Sequence, residues 1–454
     1  MPTPVNARAV ALRILTLLDS DQRTLDAVLD ETLSGEPHLQ KRDIGLMHTL
    51  VFGVLRWRNR LDWIINHFSK TPLKKIHPDV LNILRIGLFQ ILYLDRIPDS
   101  AAVNTAVELA KTSSAKWTHR FVNGLLRSAA RNPDSVPYPS PEKDPALALA
   151  VTQSFPQWLM QRWIDRFGFE ETRQLCEAVN TIPSIGMRVN TLKIERDHLL
   201  ETLRPRVHSI APARYSPVGL TLSNPESAIP DLPGFQEGWF QVQDEAAQLV
   251  GYLLDPQPGD HVLDACAGLG GKTGHIAQMM NNEGRILALD NSSAKLKRLR
   301  IEMARIGATI VSTRTHDLNT PPKPEEFGTF DRILLDAPCS GIGVLRRNPD
   351  TKWRVSPSDF ERYQARQLEF LENLAPLLKP SGVFVYAVCS SEPEENEQVI
   401  TSFLISHPSF FIEKEKSRFP PFLRSLMSDE GILKTSPHKN DMDGFFSVCL
   451  KRKI

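Results

Sequence analysis

Apolar residues recur at helical spacing through the first third of the chain. Ala9, Leu12, Ile14, Leu15 and Leu18 form one stripe, and Leu50, Val51, Val54 and Leu55 form another, continued by Leu61, Ile64 and Ile65. The run from Leu81 to Tyr93 is apolar nearly all round, which predicts the central helix of a bundle. Pro98 breaks the chain before a further helix over 101–111. Pro133, Pro137, Pro139, Pro141 and Pro145 then predict a linker and a domain boundary.

The pattern changes twice after that linker. Residues 148–185 read as mostly helical, with Trp158 and Trp163 packing, and alternating apolar positions over 186–222 suggest a small α+β segment. From Gly238 onward, strands are predicted at 261–264, 285–290, 309–315, 330–336 and 382–387. Helices fall between them at about 273–281, 293–306 and 358–378. This alternation predicts an α/β domain with a doubly wound, mainly parallel, Rossmann-like sheet. The expected division is a helical domain over 1–135, a linker over 136–147, an α+β segment over 148–237 and the Rossmann-like domain over 238–454.

Composition narrows the class. The chain has 454 residues, 41% of them hydrophobic, enough for two or three packed cores. No apolar stretch is long enough to span a membrane, and the first residues lack the apolar centre of a signal peptide. Five cysteines in a chain of this length predict reduced thiols, and so a cytoplasmic protein. Net charge is only +1, yet residues 1–133 carry 18 Lys and Arg against 12 Asp and Glu. That local excess is compatible with a nucleic-acid partner and equally with an ordinary solvated surface.

A glycine-rich turn follows the strand ending at Asp264: Cys266, Ala267, Gly268, Leu269, Gly270, Gly271 and Lys272, then Thr273. A phosphate-binding P-loop needs glycine at 266, and a dinucleotide fingerprint starting at Gly268 needs a small residue at 273. The first reading fails and the second is weakened. A strand end, close-approach glycines and a helix start fit a cofactor with a carboxylate. Asp290 ends the next strand, where an acid accepts ribose hydroxyls, and Asp317 follows the third strand, placed for an adenine amino group. S-adenosylmethionine is the expected cofactor.

Two cysteines stand where buried strands should end. Cys339 lies three residues past Asp336 in a Pro-Cys-Ser-Gly turn, and Cys389 follows the apolar run ending at Val388. A buried cysteine is usually inert, which suits Cys176 and Cys449. No Cys-x-x-Cys or histidine cluster accompanies either strand-end thiol, so catalysis is expected there and no metal. The residues alone do not say which thiol attacks. Arg346, Arg347, Lys352 and Trp353 follow closely, and cations with an aromatic suit RNA.

These motifs together resemble the RNA cytosine-5 methyltransferases. The likeness runs through Asp336 to Gly341, the Cys389-Ser390 pair, Gln243 to Leu249, Gly343 to Trp353, Pro393 to Glu397 and Asp443 to Phe446. The first 132 residues look like the NusB-type RNA-binding domain, through Leu50 to Arg56, Arg96 to Pro98 and Phe121 to Arg127. The combination is similar to the bacterial RsmB (Sun/Fmu) group. The resemblance implies methylation of a cytosine in 16S ribosomal RNA. It gives covalent attack to Cys389, product release to Cys339, and base recognition with proton donation to Asp336. A monomer is the expectation. Two departures stand out: Gly268-Leu269 replace Ala-Pro in the family's turn, and Val388 replaces the threonine before the nucleophile. Rival readings are a non-catalytic RNA-binding assembly factor, a NAD-dependent oxidoreductase and a transfer-RNA methyltransferase.

Overall fold

The computed structural model describes residues 6–20, 23–36, 38–113 and 118–453. The first five residues, and residues 21, 22, 37 and 114–117 of the predicted helical stretch, lie outside the described residues. The chain packs into two units. One runs up to Thr181 and includes Leu345–Arg354; the other holds Ile182–Val344 and Val355–Ile454.

The first unit is helical, with Ala7–Ser20, Leu25–Ser34, Lys41–Phe68, Pro78–Tyr93, Asp99–Ser113 and Thr118–Arg131 forming a bundle. The helix Pro78–Tyr93 starts on a proline and buries every residue from Asn82 to Gln90, as its all-round apolar pattern requires. Gly53 allows this helix a close approach: a Cβ there would stand 1.9 Å from the Phe89 ring. The buried Arg85 is offset by Asp62, which accepts from its Nε at 2.7 Å and its Nη2 at 2.8 Å.

The proline segment packs against the bundle. Val136 is buried in the bundle core, and Pro137 accepts a hydrogen bond from Trp63 Nε1 at 3.0 Å. The helices Pro145–Thr152, Gln157–Phe167 and Phe169–Asn180 therefore stay with the first unit. Prolines here stiffen a packed strap.

The second unit opens with β1 (Ile185–Val189), β2 (Val207–Pro212), β3 (Gly219–Pro225) and β4 (Phe240–Val242). They form an antiparallel sheet in the order β2-β3-β1-β4, backed by the helix Arg196–Leu203. The larger sheet contains β5 (His261–Ala265), β6 (Arg285–Asp290), β7 (Val311–Thr315), β8 (Phe330–Asp336) and β9 (Leu378–Val388). These five run parallel in the order β9-β8-β5-β6-β7. Short strands β10 (Phe410–Ile412) and β11 (Ile432–Lys434) pair with β12 (Phe446–Arg452), which lies antiparallel on β9.

Strand order reverses around β5, since β6 and β7 extend from one side and β8 and β9 from the other. Such a reversal opens a crevice at the carboxyl ends of the strands. Ala265, Asp290, Asp336 and Val388 all end their strands at that edge.

Candidate active site

A cleft sits at this edge, lined by Cys266, Gly268, Asp290, Asp317 and Asp336 among others. Five of the sequence-selected residues are therefore brought together. Lys295, His316, Arg366 and Phe370 also line it, and the sequence pattern did not single them out. They lie on helices and a loop whose contribution depends on how the elements pack.

The turn's backbone shapes the cleft. Gly268 has φ +57° and no atom within 4 Å of an added Cβ, so glycine leaves open space facing the cleft. Gly270 has φ +88°, and a Cβ there would press on Leu299 at 2.8 Å and Met303 at 2.9 Å. Cys266 adopts φ +103° without being glycine. The backbone N–H groups of Cys266 and Ala267 hold it there by both donating to Leu289 O, at 3.0 and 2.7 Å.

Asp290 is fixed at the cleft wall. Its Oδ2 accepts from Gly268 N at 3.1 Å and its Oδ1 from Ser292 N at 2.8 Å. Asp317 is exposed at the rim and receives the backbone N–H of Asn319 at 3.1 Å. Asp264 does not line the cleft: it is buried, and its Oδ2 accepts from Thr273 Oγ1 at 2.6 Å, tying β5 to the helix Gly271–Met279. Burial pushes its carboxyl up to about 6, and its Oδ1 has no partner among the described residues.

Beside the cleft, Cys339 Sγ and Cys389 Sγ stand 3.1 Å apart, both as free thiols. Hydrogen bonding to Cys389 raises the Cys339 pKa well above the ordinary thiol value, reinforced by burial and by the charges of Cys389 and Glu395. Lys272 Nζ meets Asp336 Oδ2 at 2.6 Å and lies 5.2 Å from the Phe445 ring centroid. Burial alone would lower the Lys272 pKa, but Asp336, with Cys389 and Asp264, raises it overall, so the ammonium is retained at neutral pH.

The acid run after Cys389 contributes a residue that the sequence left as loop. Glu395 is buried and accepts from Ser340 N at 2.7 Å, Ser340 Oγ at 2.5 Å and Ser390 Oγ at 2.5 Å. Each serine directly follows one of the two cysteines, so a single carboxylate holds both turns. Tyr386 OH donates to Glu395 O at 2.6 Å and fixes the carboxylate's own backbone. Gly343 and Gly444 pack against the other side: Gly343 N donates to Cys389 O at 3.0 Å, and Gly444 N donates to Gly343 O at 2.8 Å. A Cβ on Gly343 would fall 1.9 Å from Gly444 O.

The RNA contacts expected of the loop after Cys339 are corrected by packing. Leu345–Arg354 belongs to the helical unit. Lys352 is 1% exposed and donates to Asn180 Oδ1 at 2.8 Å and Ser154 O at 3.2 Å. Trp353 Nε1 donates to Leu55 O at 2.7 Å, and Arg346 is buried with its carbonyl bonded by Arg56 Nη2 at 2.8 Å. A cation with an aromatic in sequence here means an interior anchor rather than a phosphate clamp. Arg347 and Trp353 are the members of the set that keep partial exposure.

Comparison with known proteins decides the family. The profile of "16S rRNA methyltransferase RsmB/F" matches residues 251–451, that of the NusB family residues 5–131, and an RsmF/B-like ferredoxin-like domain residues 155–228. A probable ribosomal RNA small subunit methyltransferase B of Synechocystis is 36% identical, covering 99% of this chain and 100% of its own. The chain belongs to the RsmB/F family of 16S rRNA methyltransferases. A probable ribosomal RNA small subunit methyltransferase B of Bacillus subtilis is likewise 36% identical over 99% of both chains. The crystal structure of a methyltransferase homolog from Pyrococcus horikoshii aligns with a TM-score of 0.57 and 27% identity, over 68% of this chain and 99% of its own.

This RsmB/F member is a methyltransferase that uses S-adenosylmethionine, and the cleft accommodates that group. Open space lies beside Gly268 in the cleft, and a fixed carboxylate ends β6. Membership of this methyltransferase family sets the oxidoreductase and non-catalytic readings aside. Among the described residues no helix is long and apolar enough to cross a membrane.

Proposed function

We propose that this protein methylates carbon 5 of a cytosine in 16S ribosomal RNA through a transient bond between Cys389 Sγ and carbon 6. The observation that supports it most is the pair of thiols 3.1 Å apart, beside the Lys272–Asp336 ion pair and next to the cofactor cleft. Asp290 would hold the ribose hydroxyls, Asp317 the adenine amino group, and the backbone from Cys266 to Gly268 the amino-acid end. When bound, S-adenosylmethionine supplies an electrophilic methyl group on a sulfonium.

Carbon 5 of cytosine is a weak nucleophile until a thiolate adds at carbon 6 and moves an electron pair towards carbon 5. The family resemblance gives the attack to Cys389, and the raised pKa of Cys339 supports a division in which Cys339 keeps its proton. The Lys272–Asp336 pair faces the ring nitrogen and delivers the proton that neutralises the ring. Carbon 5 then takes the methyl group. With Cys389 bonded to carbon, Cys339 loses the acceptor that held its proton and releases that proton to water. Its thiolate next removes hydrogen from carbon 5. The electron pair of that C–H bond restores the C5–C6 double bond, the carbon–sulfur bond breaks, Cys389 leaves as thiolate, and the ring nitrogen returns its proton to the Lys272–Asp336 pair. One proton is released per methyl transferred, as the overall reaction demands.

The target base must be unpaired or turned out of a helix, because stacking covers the face of carbon 6. The test is to incubate the protein with unmethylated 16S RNA and labelled S-adenosylmethionine, then map 5-methylcytosine by bisulfite sequencing. One protein-dependent cytosine is expected. Methylation at a nitrogen or at ribose would overturn the assignment.

A further inference from the structure

The glycine turn has a second side. Gly268 lines the cofactor cleft, whereas Leu269 and Gly271 line a separate groove with Val242, Phe235, Arg298 and Ile301. Seven large apolar side chains are exposed among the described residues, and three of them, Val242, Leu269 and Ile301, meet in this groove. Single exposed apolar residues are ordinary, but three gathered in one recess mark a binding surface.

One cation, Arg298, lines the groove together with the acid Glu302. The helix Ser293–Ile306 that carries both also exposes Lys297 and Arg300, and Glu302 is its one acid. Arg305 Nε donates to Glu302 Oε2 and Gln241 Nε2 to Glu302 Oε1, each at 2.8 Å, so that charge is already offset. Behind Gly271, Gln243 Nε2 is a buried donor without a partner among the described residues. An apolar floor beside the Arg298 guanidinium matches a nucleotide, whose base offers flat apolar faces and whose phosphate is anionic. Gly271 also leads directly into Lys272, which reaches Asp336 at the thiol site.

We propose that this groove binds an unpaired nucleotide of the substrate RNA flanking the methylated one, its base against Val242, Leu269 and Ile301 and its phosphate on Arg298. The inference rests on the reading above that the substrate is RNA. It adds a site that fixes register along the strand, so the cytosine presented to Cys389 is set partly by its neighbour.

Arg298→Glu, Ile301→Ser and the double variant test it, since both side chains are exposed and lie outside the catalytic set. Anisotropy with a labelled single-stranded fragment of 16S RNA should show Kd rising roughly tenfold in the double variant. The slope of log Kd against log salt should fall by about one in Arg298→Glu. S-adenosylmethionine affinity and melting temperature should stay at wild-type values. Wild-type RNA affinity and salt slope in all three variants would overturn the proposal. So would normal binding to naked RNA combined with lost methylation of assembled subunit particles, which would make the occupant a protein. If wild type made no 5-methylcytosine while the variants still lost RNA affinity, the reaction assigned above would fail and this groove would stand.

Discussion

Cys339 and Cys389 are fifty residues apart in sequence and 3.1 Å apart at sulfur. Neighbouring parallel strands bring them together. Asp336 on β8 pairs with Ala387 on β9, so the short extensions from these partners to Cys339 and Cys389 converge. At that distance one thiol hydrogen-bonds the other, and this contact raises the Cys339 pKa well above the ordinary thiol value.

The Lys272–Asp336 pair is expected to act as a unit. Lys272→Met and Asp336→Asn should each lower kcat by about a hundredfold or more, with the double variant little worse than either single. The Lys272 pKa is raised, so the pair is complete below the ordinary lysine value of 10.5 and is lost only as pH rises through the higher folded value. A kcat profile should show no fall from this group between pH 7 and the ordinary lysine range; additive losses in the double variant would contradict the pairing.

Glu395 braces both cysteine turns without touching substrate. Glu395→Gln should keep part of kcat and Glu395→Ala much less, while KM for RNA stays level in both. Burial raises this carboxyl despite its serine donors, so falling pH protonates it sooner than an ordinary glutamate. Wild type should lose kcat on that acid limb, and Glu395→Gln should lack the limb. Equal loss in Gln and Ala variants would point to bulk packing instead.

Asp264 is buried with one oxygen unpartnered and its pKa raised to about 6. An acid raised on folding binds more protons when native, so stability falls as pH climbs from about 4 to about 6. Asp264→Asn removes that slope and should stabilise the ligand-free protein above pH 6 by roughly 2–3 kcal/mol. Urea unfolding at pH 5 and pH 8 measures it; an unchanged pH difference would contradict the account.

Lys352 is an interior anchor. Burial pushes its amine well below the ordinary lysine value, and its Nζ lies 3.6 Å from the Phe155 ring centroid. Lys352→Ala should destabilise the protein by about 2–4 kcal/mol and leave RNA affinity unchanged under conditions where it is folded. A selective loss of RNA affinity with normal melting would restore the nucleic-acid role.

Periodicity was enough to read the helical bundle and the parallel strands, because burial on one or both faces writes itself into spacing. The strand expected over 285–290 and the helix expected over 293–306 coincide residue for residue with β6 and the helix Ser293–Ile306. Strands β10 to β12 escaped, since short antiparallel pairs depend on a partner strand distant in sequence. The glycine turn, Asp290 and both cysteines were legible because strand ends are marked by local composition. Glu395 was not: its function lies in two serines 55 and 5 residues away, which only the fold brings together. Burial of Arg346 and Lys352 was not legible for the converse reason, since residue type alone does not distinguish an exposed cation from an interior one.

Trapping of the RNA adduct tests the central claim most directly. Each single cysteine variant is mixed with unmethylated 16S RNA and S-adenosylmethionine, then run on a denaturing gel. Cys389→Ala should give no covalent complex, and Cys339→Ala should accumulate one that carries the transferred methyl group. A stable complex in Cys389→Ala, or none in Cys339→Ala while the product still forms, would contradict covalent attack by Cys389.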